Sequence, residues 1–100
     1  MAKGYWIGHV DIHDMEEYKN YVAANGAVFA KYGARFLVRG GQFENPEGSV
    51  RSRHVVLEFD SYELAKECYY SQDYQDVMAI RAADGVSNAD FVIVEGYDPE

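Results

Sequence analysis

Four short runs rich in β-branched and aromatic residues, at 4–12, 35–39, 54–59 and 91–95, alternate with two longer stretches whose apolar residues recur at helical spacing. That βαββαβ order narrows the fold more than any other feature. It predicts an α+β domain of the ferredoxin-like layout, an antiparallel sheet in order 4-1-3-2 with the helices on one face. Sorting each run by alternate positions then separates two faces. Trp6, Gly8, Val10, Ile12, Phe36, Val38, Val55, Leu57, Phe59, Val92 and Val94 make one apolar set, expected under the helices. The other set is mixed: Tyr5, Ile7, His9, Asp11, Arg35, Leu37, Arg39, His54, Val56, Glu58, Phe91, Ile93 and Glu95. Its apolar members Ile7, Leu37, Val56, Phe91 and Ile93 form a patch that a monomer seldom leaves in water, so a second copy is expected to cover it.

The connections carry their own signals. Asp14 with Glu17 resembles a capping box, and Met15, Tyr18, Val22, Phe29 and Tyr32 continue a helix that Gly33 can stop. Asn25 and Gly26 sit in its middle, where the glycine costs about 1 kcal/mol relative to alanine, and a division into two pieces is expected there. Gly40-Gly41 and Asn45-Pro46-Glu47-Gly48 suit turns in a long hairpin loop. Ser61 and Ser71 are N-caps for two further helical pieces, the second carrying Tyr74, Val77 and Met78. Residues 82–88 read as a loop.

One hundred residues suffice for one domain, 1–100, burying roughly two-thirds of the unfolded surface. Seventeen acidic residues against nine basic ones give a net charge of −8, which repels phosphate backbones and anionic headgroups; neither nucleic acid nor membrane is expected as a partner. The single cysteine, Cys68, has no internal partner, and the start of the chain carries no long apolar run, so the expected location is cytoplasmic.

Gly4-Tyr5-Trp6 with His9 and Asp11, Tyr18 and Tyr21, Tyr32-Gly33 leading into Arg35 to Gly41, Val55 to Phe59 with Ser61, Tyr69, Ser71, Tyr74-Gln75, and Ala89-Asp90 leading into Val92 to Gly96 form a pattern spread nearly end to end. In it the chain resembles the DUF1330 family, a domain of unknown function in the dimeric α+β barrel superfamily. Cys68 departs from the family pattern, which has a tryptophan there. The resemblance implies a dimer in which two sheets face each other, and implies no substrate, cofactor or catalytic residue. Other families of this build include small heme-degrading and quinone-forming monooxygenases and lactone isomerases, an analogy of fold alone.

Candidate chemistry concentrates on the mixed face. His9, Asp11 and Arg39 are the expected catalytic set, a histidine oriented by a carboxylate moving a proton while the arginine holds an anionic oxygen. His54 and Glu58 are placed with them as ligand-binding residues, together with Tyr69 and Tyr74, whose phenols can hydrogen-bond a planar ligand. An ion-pair network and aromatic core packing account for the same residues without any ligand. No metal site is assigned, because His9, Asp11 and His13 stand roughly 6–7 Å apart along a strand. Cys68 is expected to be a small buried hydrophobe. The expected function is a homodimeric enzyme without a cofactor, acting on a small aromatic or oxo-containing metabolite; the alternative is a non-catalytic ligand-binding or structural dimer module.

Overall fold

The computed structural model describes residues 2–99; Met1 and Glu100, the two ends of the expected domain range, lie outside the described residues. Four strands and three helices follow one another there: β1 (Gly4–Ile12), α1 (Met15–Lys31), β2 (Arg35–Arg39), β3 (Arg53–Phe59), α2 (Tyr62–Tyr70), α3 (Gln72–Ala82) and β4 (Ser87–Glu95). The sheet runs β2-β3-β1-β4 with antiparallel neighbours throughout, the order expected from the pattern.

Local chemistry sets the helix ends. The Asp14 carboxylate accepts from the Glu17 amide at 3.2 Å to open α1, and Gly33, at φ 67°, closes it in the left-handed conformation. Asn25 and Gly26 do not divide this helix: α1 is continuous, and Asn25 is buried against the sheet. Tertiary packing outweighs the glycine's modest local cost. Ser71 both ends α2 and starts α3, its hydroxyl donating to the Cys68 carbonyl at 2.7 Å and accepting from the Tyr74 amide at 3.1 Å.

The core lies between the helices and one face of the sheet, centred on Trp6. Its ring meets Tyr74 at 4.8 Å, Phe59 at 5.3 Å, Phe29 at 5.4 Å and Tyr69 at 5.5 Å between centroids. The indole N–H donates to the Ala65 carbonyl at 2.8 Å, so the largest buried side chain leaves no orphaned donor.

Two strands present faces other than those the alternation predicts. In β4, Phe91 and Ile93 lie opposite Gly8 and Trp6 and belong under the helices, whereas Val92 and Val94 lie opposite Ile7 and Tyr5 on the open face. Gly8 decides this register: the Phe91 ring occupies the space a Cβ there would fill. β4 also starts four residues earlier than expected, because Ser87 to Asp90 pair with Ile12 to His9 despite their turn-like composition. In β2, Phe36 pairs with Leu57 and Val38 with Val56, leaving Leu37 as the extra residue of a bulge. The bulge reverses the residues beyond it, so Val38 moves to the open face and Arg39 to the helix side.

Candidate functional site

The centre of the open face is a histidine pair. His9 and His54 are direct partners in the β1–β3 register, and their Nδ1 atoms lie 2.8 Å apart with the rings inclined by 72°. One Nδ1 must therefore carry the proton and the other accept it, and the space between them holds one proton only. The edge of Phe43, from the hairpin loop, packs on His54 with centroids 4.4 Å apart. His54 Nε2 is buried and finds no hydrogen-bond partner among the described residues. A cleft of about 290 Å³ lies beside the pair, walled by Val38, Gly40, Gly41, Phe43 and Val50; a second, of about 340 Å³, runs along His9, Val50, Arg51 and Asp90.

Asp11 does not orient His9. Its carboxylate accepts from the Ser52 amide at 3.0 Å, the Ser52 hydroxyl at 3.2 Å and Arg51 at 3.0 Å, and Arg51 also reaches Asp90 at 2.9 Å. The Ser52 amide, with Arg51 and the Ser52 hydroxyl, holds the Asp11 carboxyl below the usual carboxylate range. This cluster straps the hairpin loop across β1 and β4.

Glu58 lies at the other end of the face, four register positions from the histidines, or about 13 Å along the strand. It accepts from Arg35 Nε and from the Tyr5 hydroxyl, each at 3.0 Å, and these partners, Arg35 foremost, lower its pKa. The expected grouping of Glu58 with the histidines is thus not formed.

Three expected site residues stand behind the sheet. Arg39, turned by the bulge, lays its guanidinium 4.4 Å over the Phe36 ring. Tyr74 is fully buried, sharing a 2.7 Å hydroxyl contact with Tyr21 and accepting from Arg81 at 3.3 Å; burial pushes its phenol up. Tyr69 is half-buried against Trp6 and Tyr74, on a groove formed with Tyr62, Lys66, Tyr70, Phe91 and Ile93. Of the expected residues on the mixed face, the structure brings His9 and His54 into contact. Phe43 and Arg51 reach the site from the 40–52 loop, and residue type alone carries no signal for either. Among the described residues no three His, Cys, Asp or Glu side chains gather as metal ligands. No helix there is long and apolar enough to cross a membrane.

This architecture is the α+β ferredoxin-like fold, with one sheet face under helices and the other bare. The chain belongs to the family described as "Domain of unknown function (DUF1330)", whose pattern matches residues 3–97. Among solved structures it is similar to the RPA0582 protein of unknown function from Rhodopseudomonas palustris, at 16% identity over 98% of this chain and 85% of that one, TM-score 0.72. It is similar also to SnoaB, a cofactor-independent oxygenase from Streptomyces nogalater, at 12% identity over 100% of both chains, TM-score 0.64. A dimeric ferredoxin-like protein of unknown function from Thermobifida fusca matches at 14% identity over 93% of this chain and 90% of that one, TM-score 0.61. At such identities the likeness is one of fold. No curated protein matches the chain.

Proposed function

We propose that the protein is a cytoplasmic homodimer, formed through the open sheet face, that binds a small aromatic or oxo-containing molecule beside His9 and His54 and moves a proton on it without a cofactor. The observation that carries this reading is the 2.8 Å contact between the two Nδ1 atoms. With the shared proton on His9 Nδ1, His9 Nε2 is a free base. A proton taken there from a carbon next to a carbonyl makes an imidazolium that His54 stabilises through the shared Nδ1 hydrogen bond. Because His54 Nε2 is buried without a partner, the proton returns through His9, and the class of reaction is a proton shift between two atoms of one substrate. Arg39 and Tyr74 lie behind the sheet and take no part in this step; Asp11 acts only by holding the loop that walls the clefts. Support for the dimer comes from neighbours of the same fold described as dimeric, and for chemistry without a cofactor from SnoaB.

The test is deuterium incorporation next to the carbonyl of a panel of aryl ketones and aryl keto acids in D2O, followed by NMR. Catalysed exchange is expected, falling about 100-fold or more in His9→Ala with the melting temperature nearly unchanged. Absence of exchange across the panel, with His9→Ala melting several degrees lower, sinks the catalytic reading. It would favour the second one, a non-catalytic ligand-binding or structural dimer module, for which the saturation of Asp11 and Glu58 by Arg51 and Arg35 already speaks.

A further inference from the structure

On the far side of the sheet from the histidines, a pocket opens between α1 and strands β2 and β3, lined by Tyr18, Asn25, Phe36, Arg39, Arg53 and Phe91, among others. Its polar equipment is unusual for a core. Asn25 is 4% exposed and its Oδ1 has no partner. Arg53 Nε is likewise buried without an acceptor. Arg81, 5% exposed, stands behind two lining residues, its guanidinium 4.5 Å from the Phe91 ring and 5.4 Å from the Tyr21 ring, and its Nε is unpaired as well. Arg53 lies 5.9 Å over the Tyr18 ring, whose centroid is 5.5 Å from that of Tyr21.

Exposed Arg39 and half-buried Arg53 thus line one aromatic-walled space, with the buried Arg81 guanidinium behind its walls. No carboxylate among the described residues pairs with any of them, although the chain carries 17 acidic residues against 9 basic ones and pairs Arg35 and Arg51 twice each. Cation–π contacts offset part of the cost of desolvating such charges, and Arg81 donates to the Tyr74 hydroxyl at 3.3 Å, but the Nε–H donors of Arg53 and Arg81 stay unused. Guanidinium groups with idle Nε–H donors beside a buried, unpartnered side-chain amide are matched by an anion that accepts hydrogen bonds. The space is about 20 Å³, and a water needs roughly 10–15 Å³ on that measure, so one or two oxygen-sized groups fit while a phosphate does not.

We infer that this pocket is a binding site for a carboxylate, held by Arg53 and Arg39 with Asn25 turning its Nδ2 toward it, while Arg81 supplies charge from behind. The carboxylate is either a free small acid or the head of an aryl acid whose ring spreads the walls formed by Phe36, Phe91 and Tyr18. The site is separate from the histidine clefts and does not rest on their reading.

The test titrates the full chain with sodium formate and, separately, sodium benzoate at constant ionic strength set by sodium chloride. Melting temperature and the Nε–H NMR signals of the arginines are the two readouts. A carboxylate site raises the melting temperature by about 5 °C or more once the ligand exceeds its Kd tenfold, and shifts the Arg53 signal. Formate acting alone identifies a free small acid; benzoate acting more strongly identifies an aryl acid. Arg53→Met is expected to melt no lower than the parent in carboxylate-free buffer, since it removes a half-buried charge whose Nε–H is buried without an acceptor, and to lose the response. If neither carboxylate moves the Nε–H signals beyond chloride up to 50 times the protein concentration and into the millimolar range, or if Arg53→Met responds like the parent, the site is overturned.

Discussion

Gly8 shows how much one residue can carry. It lies in the central strand, where glycine is ordinarily unfavourable, and its missing side chain is what lets the Phe91 ring lie against β1. Phe91 in turn sets the register face of β4 and meets the Arg81 guanidinium. Gly8→Ala should therefore destabilise the fold by about 1–3 kcal/mol through overpacking, read as a lower denaturation midpoint. The double variant Gly8→Ala/Phe91→Leu should recover part of that loss, because the two residues compete for one volume. Additive losses would show that the register has another cause. Cys68 illustrates the opposite case: it is fully buried and burial pushes its thiol up to about 12, which fits a packing role.

At the scale of elements, the strap formed by Asp11, Arg51, Ser52 and Asp90 ties the 40–52 loop to β1 and β4, and with it the walls of the histidine clefts. Asp11 has a depressed folded-state pKa, so its contribution is fully present above the unfolded value of about 3.9 and is lost as pH falls through the lower folded value. Amide exchange at Ser52 should accordingly accelerate only below about pH 4, relative to the pH trend of an exposed amide. Asp11→Asn should show the fast loop at neutral pH; a Ser52 amide that stays protected in that variant removes Asp11 from the strap. The order and pairing of elements are legible from hydrophobic spacing and caps, because those signals are local. The faces of β2 and β4 are not. Phe91, Val92, Ile93 and Val94 are apolar at both parities, so alternation says nothing there. In Arg35 to Arg39 the two arginines share a parity, and the face of the second is not legible because the bulge at Leu37 depends on pairing with β3. The same bulge dissolves the expected set of His9, Asp11 and Arg39, while the pairing of His9 with His54, 45 residues apart, is a product of register.

The whole molecule is a slab measuring 43 × 36 × 18 Å, and its thin dimension is one sheet and one helical layer. The bare side of the sheet carries Ile7, Val38, Val56, Val92 and Val94, flanked by the Arg35–Glu58 and Arg51–Asp11 pairs. An apolar centre within a charged rim is the composition of a protein interface, and the proposed dimer places it against a second copy of itself. The corrected faces of β4 sharpen how this can be tested. Val92, 55% exposed, lies in the patch, whereas Ile93 packs on the core. Val92→Asp would bury an unpaired carboxylate only in the dimer, so it should shift the mass from light scattering to that of one chain, about 11.3 kDa, while leaving the far-UV circular dichroism unchanged. Ile93→Asp would put the same charge beneath the helices and should lower the melting temperature whatever the oligomeric state. A parent chain that is already monomeric at tens of micromolar, or a Val92→Asp variant that stays dimeric, would place any self-association elsewhere and leave the histidine clefts open to solvent.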